Sequence, residues 1–335
     1  MKSIHICILC CVSLALVFTH VDRVCAKAPE SAKIVYTSET VNIKQKGNSD
    51  IYLMNPDGTG QIKLTRHPAS DSQPVWSPTG EKILFTSNRD GISDLFLMNA
   101  DGTNVQQVFQ KLANRRHGTW APDGKRIAYY RVDGEINETG IYTAAIDGTG
   151  EERIVSGWQP AWSPDGSEIV FISLEDLGMH IINLQTGVDD IVLPMEQAIP
   201  FDPVWSPDGT QIAFTGVNLV QLVLGNFLKA GGKLPNAVEA IYTVNRDGSQ
   251  LERVVFGDIK TSDPAWSPFG NQLVYEQPVG KEIHLFSITL GSDNPHQLTD
   301  EGYNRDPDWF DPLVLPVVPQ PKLFTTVWGK IKIQN

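Results

Sequence analysis

The sequence predicts an all-β chain folded as a six-bladed β-propeller of four-stranded blades. Three observations carry that prediction. The stretch Trp-Ser-Pro-Asp-Gly stands intact at Trp162–Gly166 and Trp205–Gly209. It recurs with changes at Trp76–Gly80, Trp120–Gly124 and Trp266–Gly270, and a decayed copy closes the series at Trp309–Pro312. Successive tryptophans lie 44, 42, 43, 61 and 43 residues apart. Between them the same order of short apolar runs and Asp-Gly turns repeats, four runs at a time. Four short strands every 40 to 45 residues or so is the spacing of propeller blades.

The runs follow in order. Ile34–Thr37 reads as a strand, then Asp50–Asn55, the turn Pro56–Thr59, and Ile62–Thr65, before Pro74–Ser77 brings the first Trp strand. After Gly80 come Ile83–Thr86, Asp94–Asn99 and Gln106–Phe109. After Gly124 come Ile127–Tyr130, Ile141–Ala144 and Arg153–Val155, and after Gly166 come Ile169–Ile172, His180–Asn183 and Ile191–Leu193. After Gly209 come Ile212–Thr215, an insertion, Ile241–Val244 and Glu252–Val255. After Gly270 come Leu273–Tyr275, Ile283–Phe286 and Gln297–Thr299. Asp-Gly suits the turns, because Gly tolerates positive φ and Asp bonds its own nearby backbone. Runs such as Ile212-Ala213-Phe214 fit strands buried on both faces between blades.

Six periods fit between Ile34 and Trp309 once the long interval's surplus of 18 residues is set aside. The phase of the repeat also predicts closure. The N-terminal part supplies three strands and lacks a Trp strand, whereas the Trp309 strand has no followers. The two are expected to share one blade, which hides the strand edges that would otherwise invite aggregation. The domain expectation is a signal peptide at 1–26, a propeller over 27–312 with an insertion at 217–240, and a tail at 313–335.

Lys2 followed by an apolar run from Ile4 to Phe18 and by Val24-Cys25-Ala26 reads as a cleaved export signal, too short to span a membrane comfortably. All four cysteines (Cys7, Cys10, Cys11, Cys25) fall within it, so the mature chain is expected to have no disulfide, thiolate metal site or cysteine nucleophile. A formal charge of −12, spread along the chain, argues against a nucleic-acid partner and permits cationic ones. The expected product is a periplasmic or extracellular monomer with no membrane span.

The Trp-Ser-Pro-Asp-Gly turns, the Ile-Ala-Phe-Thr strand at 212–215, the run Asp50–Thr59 and Lys63-Leu64-Thr65 resemble the WD40-like propeller repeats of the TolB family and of the dipeptidyl-peptidase-type propellers. The resemblance covers residues 34–310. It implies the propeller fold and leaves function open, because propellers host many functions. Two departures matter. TolB proper carries an α/β domain ahead of its propeller, whereas here only Lys27 to Ala32 are expected between the signal and the first strand. The peptidase-type proteins carry a hydrolase domain with a Gly-x-Ser-x-Gly elbow, and no such elbow occurs here.

The repeat also assigns candidate site residues. Three positions before each Trp, at the entry to the innermost strand, stand Gln73, His117, Gln159, Asp202, Asp263 and Asp306, all polar. Arg115, Arg116 and Arg305 adjoin them. A polar ring around a channel suits a cation, ordered water, or a partner's polar group. Asp202, Asp263 and Asp306 on successive blades form a negative sector suited to Ca²⁺, an optional rather than a required cofactor. The bland alternative is that each Asp caps its Asp-Pro turn. The Asp-Gly turns at Asp57, Asp101, Asp147 and Asp247 read as hairpins rather than calcium loops. Of the mature histidines, His67 and His117 map to the entry face. The insertion reads as either a cap over the channel or a partner-binding lobe. The functional expectation is a non-catalytic propeller that binds a protein or peptide, or serves as a scaffold, through the pore-mouth face. The alternative is a metal-assisted enzyme on carbohydrates or lactones at the same mouth.

Overall fold

The structure is a computed structural model describing residues 27–39, 48–134, 138–217, 239–257 and 259–314. The signal segment, most of the 217–240 insertion and most of the 313–335 tail lie outside these residues. The described chain is built of β-strands, without an α-helix among its elements.

Four four-stranded antiparallel sheets follow one another along the chain. They are β4 (Asp71–Trp76), β5 (Lys82–Ser87), β6 (Asp94–Asn99) and β7 (Gln106–Gln107); β8 (Asn114–Trp120), β9 (Arg126–Val132), β10 (Gly140–Ala145) and β11 (Glu152–Val155); β12 (Gly157–Trp162), β13 (Glu168–Ser173), β14 (Met179–Asn183) and β15 (Asp189–Leu193); and β16 (Ile199–Trp205), β17 (Gln211–Val217), β18 (Glu239–Asn245) and β19 (Glu252–Arg253). In each, the Trp strand is the edge nearest the central channel.

The remaining eight strands form one sheet. It contains β20 (Ser262–Trp266), β21 (Gln272–Val279), β22 (Glu282–Thr289) and β23 (His296–Gln297), together with β24 (Tyr303–Phe310), β1 (Lys33–Glu39), β2 (Ser49–Met54) and β3 (Ile62–Lys63). This differs from the expected six separate sheets. The two groups of four are joined by a single parallel bridge, Ile283 to Tyr303. The reason is strand length: β21, β22 and β24 run to 8 residues, and their ends at the mouth overreach the usual blade edge. Closure follows the expected pairing. C-terminal β24 lies antiparallel against N-terminal β1, with Ile34 opposite Trp309 and Lys33 opposite Phe310.

The core lies between adjacent sheets. Val170, Ile181 and Val192 of one sheet pack against Trp205, Ile212 and Phe214 of the next. Leu84, Leu95 and Leu97 meet Trp120, Ile127 and Tyr129 in the same way. Strands β6 and β13 are buried along their whole length. Burying each such large side chain stabilises the fold by about 1.5–3 kcal/mol. Several tryptophans also tie blades through their indoles: Trp120, Trp205 and Trp266 donate to the carbonyls of Val75, Ala161 and Val204 at 3.3, 3.2 and 3.2 Å.

The repeated pentapeptide is a self-satisfied turn. In Trp162–Gly166 the Ser163 hydroxyl donates to Asp165 Oδ1 at 2.7 Å and accepts the Glu168 N–H at 3.0 Å. Asp165 Oδ1 also accepts the Ser167 N–H at 3.0 Å. Gly166 takes φ +74°, where a side chain is disfavoured. The Asp-Gly-Thr turns are hairpins of similar logic: Asp57 Oδ1 accepts both the N–H and the hydroxyl of Thr59, at 3.0 and 2.6 Å.

Candidate functional site at the channel mouth

Each inner strand breaks register at the same place. Shifts fall between Ser72 and Val75, Arg116 and Thr119, Trp158 and Ala161, Phe201 and Val204, and Ser262 and Ala265. In β1 the shift against β24 falls between Val35 and Thr37. At each break one residue turns left-handed: Gln73 (φ 53°), His117 (50°), Gln159 (50°), Asp202 (50°), Asp263 (51°) and Asp306 (50°). These are the six positions that the sequence places three residues before each Trp. A left-handed non-Gly residue is strained, and six in a ring require a compensating interaction.

That interaction is a belt of hydrogen bonds from blade to blade. At five of the six positions the bulge turns the backbone N–H sideways, where a side chain of the neighbouring blade accepts it. His117 N donates to Gln73 Oε1 at 3.2 Å, Asp202 N to Gln159 Oε1 at 3.0 Å, and Asp263 N to Thr215 Oγ1 at 3.0 Å. Asp306 N donates to Glu276 Oε1 at 2.9 Å. Gln73 N donates to Thr37 Oγ1 at 3.1 Å and to Asp306 Oδ2 at 3.2 Å. The ring residues thus serve the fold as well as the mouth.

Sequence reasoning missed Glu276. It occupies the place on β21 that Thr37, Thr86 and Thr215 hold on β1, β5 and β17. Those threonines bond the ring: Thr37 Oγ1 donates to Asp306 Oδ2 at 2.7 Å and Thr86 Oγ1 to Gln73 Oε1 at 3.0 Å. Aligning the second strands of the repeats would have exposed the substitution of a threonine by a glutamate. As a result the tightest acidic group is Asp263, Glu276 and Asp306, whose oxygens lie within 4.8 Å of one another. The expected trio had Asp202 in place of Glu276. Asp202 stands next to the group, accepting from Gln159 Nε2 and, at 3.5 Å, from Thr215 Oγ1.

The electrostatics of this sector follow from burial and crowding. Burial first, then the neighbouring Asp263 and Asp306, pushes the Asp202 carboxyl well above its ordinary range. Burial and Asp306 lift Asp263 to about 6. Burial and Asp263 raise Glu276 well above the usual glutamate value. Opposite, burial depresses His117 to about 4, so its imidazole is neutral near pH 7. Gln73 Nε2 lies 2.9 Å from His117 Nδ1.

The six ring residues line a central cavity of about 980 Å³ that also reaches Trp and Pro residues at the turn-side end. Its walls there include Pro122, Pro164, Pro207 and Pro268. Arg305 lies on the rim, exposed, with its guanidinium 5.7 Å from the Tyr303 ring. Arg116 is exposed, donates to Asn114 Oδ1 at 3.0 Å and is not part of the wall. Nor is His67, which is exposed and accepts the Ala69 N–H. Arg115 turns outward instead. It is 2% exposed and joins Asp94 and Glu151 beside a lateral cleft of about 520 Å³.

Fold and site together define a closed all-β propeller with a polar-mouthed central channel. Comparison with known proteins narrows the class. The family model described as the TolB beta propeller domain matches residues 23–159. A curated relative, the TolB homolog of Chlorobium luteolum, is 46% identical over 46 residues, which are 14% of this chain and 11% of that protein. Among solved structures, TolB from Acinetobacter baumannii aligns with TM-score 0.67 and 16% identity, over 83% of this chain and 66% of that one. A putative TolB from Agrobacterium tumefaciens aligns with TM-score 0.63 and 18% identity, over 82% of this chain and 91% of that one. The chain is thus an all-β propeller whose fold is similar to that of TolB proteins, with the sequence likeness to the TolB propeller model lying in residues 23–159.

Proposed function

We propose that this chain is an exported, non-catalytic binding or scaffold module of the bacterial cell envelope that holds a protein or peptide over its channel mouth. In this reading the ring has six blades, the eight-stranded sheet being two blades bridged at Ile283 and Tyr303. One observation supports the mouth above other surfaces. The ring gathers Asp202, Asp263, Glu276 and Asp306 into one sector of a wide cavity, a rigid cluster of acids that a cationic partner would favour in their ionised form. Gln73, His117, Gln159, Arg305 and, from outside the wall, Arg116 supply the remaining polar contacts. Export rests on the segment 1–26 and on the likeness to TolB proteins. No helix among the described residues is long and apolar enough to cross a membrane.

A photo-crosslinking residue at Arg305, compared with one at Asp247 in a turn on the opposite face, tests the reading in envelope preparations. Adducts from Arg305 and none from Asp247 support it; the reverse overturns it. The acidic sector is also the place proposed for a Ca²⁺ ion, with Glu276 added to the expected aspartates. Calorimetry with Ca²⁺ against an Asp202→Asn/Asp263→Asn/Asp306→Asn control decides this, and no heat at millimolar calcium ends it. The alternative of a metal-assisted carbohydrate or lactone enzyme at the same mouth requires a transition metal or essential Ca²⁺ in the purified protein, which metal analysis detects.

A further inference from the structure

The cavity has two different ends. At the mouth it is polar and acidic; at the turn side it is a collar of proline and tryptophan. Three of the collar prolines pack closely against the next blade's turn glycine. A Cβ built on Gly166 would come within 3.0 Å of Pro122, one on Gly209 within 3.6 Å of Pro164, and one on Gly270 within 3.5 Å of Pro207. Proline and aromatic walls of this kind take extended, proline-rich chains, whose ordering entropy is already low.

The chain itself brings such a segment to this opening. Asp311 and Val314 both line the cavity, and Leu313 beside them is 84% exposed. The sequence continues as Leu-Pro-Val-Val-Pro-Gln-Pro-Lys over residues 315–322. In 315–335 there are three lysines, Lys322, Lys330 and Lys332, and no Asp or Glu, whereas the whole chain carries −12. Length fits as well. Eight residues in polyproline II conformation span about 25 Å. From Phe310 back to the ring at Asp306 is four residues of strand, about 13 Å. Lys322 therefore reaches the ring without full extension.

We propose that residues 315–322 of this chain enter the central channel from its turn-side opening, seat the Pro316 to Pro321 run on the proline and tryptophan collar, and bring the Lys322 ammonium to Asp263, Glu276 and Asp306. Apolar complementarity holds the run, and opposite charge fixes its depth. The segment starts at the rim, so its effective concentration at the opening is in the millimolar range, above that of a free peptide competitor. The Lys322 ammonium and a Ca²⁺ ion then compete for the same oxygens. The segment enters from the turn-side end, so its seating can be read in the isolated chain, and a cationic partner at the mouth would compete for the same oxygens.

The test is carbodiimide coupling of the full chain in the presence of chelator, followed by peptide mapping. Isotopically light and heavy protein are mixed in equal amounts. The expected product is an amide between Lys322 Nζ and Asp263, Glu276 or Asp306 within one molecule, lost in Lys322→Arg and reduced at least several-fold by excess Ca²⁺. In uncoupled protein, trypsin should cleave after Lys322 at least ten-fold more slowly than in the free 315–335 peptide. Three results overturn the proposal: light–heavy amides, which place a second copy in the channel; coupling of Lys322 only to carboxylates on the outer surface; and no coupling at the three acids.

Discussion

The backbone N–H of Trp76 donates to Asp308 Oδ2 at 2.7 Å, tying the C-terminal strand β24 to the neighbouring strand β4. The equivalent position before the other tryptophans holds Val75, Thr119, Ala161, Val204 or Ala265, so this tie is peculiar to the closing strand. Asp306 makes the companion contact to Gln73 N at 3.2 Å. Replacing Asp308 by Ala leaves a buried N–H unpaired and should destabilise the fold by about 1–3 kcal/mol. Asp308→Asn keeps a carbonyl acceptor and should cost less. Urea unfolding of the two variants checks the order.

The same carboxyl makes stability depend on pH. Burial lifts Asp308 to about 6 and Asp263 to about 6. An unfolded aspartate titrates near ~3.9. Between these values the folded chain retains protons that the unfolded chain has released. The contribution of these groups is thus full at the acid end and falls as pH rises through about 6. With chelator present, the wild type should lose stability between pH 4.5 and 7, roughly, relative to an Asp263→Asn/Asp308→Asn double variant. Parallel pH profiles of the two proteins would contradict the assignment.

Arg115 should be the costliest charge to remove. Its Nη1 donates to both Asp94 oxygens at 3.1 Å and its Nε to Glu151 at 2.9 Å, while Asp94 is fully buried. Tyr129 Oη donates to the same Glu151 oxygen at 2.6 Å. Arg115→Ala strands Asp94 without a cation and should lose about 3–5 kcal/mol, against about 0–1 kcal/mol for Arg116→Ala at the exposed neighbouring position. Chemical denaturation of both variants measures the contrast.

The turn glycines are not equivalent. Gly80 (φ +70°) faces the Phe310 ring so closely that a Cβ would collide with it, whereas Gly124 (φ +66°) has nothing within 4 Å. Gly124→Ala should cost about 1 kcal/mol from backbone strain alone. Gly80→Ala adds displacement of Phe310 and Trp76, whose rings lie 5.5 Å apart, and should lower the melting temperature further. Equal melting temperatures for the two variants would count against the closure packing described.

Removing residues 27–66 deletes β1 to β3 and strips β24 of its antiparallel partner. The truncated chain should melt at a lower temperature than the intact protein and should aggregate through the exposed edge of β24. A melt indistinguishable from that of the intact chain would show that closure does not depend on this shared sheet.

The sequence by itself determined the repeat, the channel-facing strand and the ring of six positions, because each depends only on spacing from a tryptophan. A bulge recurring at one phase of a repeat turns the same residue inward in every blade, so Gln73 and Asp306 were found by counting. Tertiary structure alone decided which side chains meet. Glu276 joined the acidic group from a second strand, Asp202 moved to its margin, and Arg115 left the mouth for Asp94 while Arg116 stayed in solvent. It also decided that β22 and β24 touch, merging two expected sheets into one. Periodicity specifies the face on which a residue lies, but contacts between blades depend on side-chain reach across a gap of several ångströms, and that reach has no period.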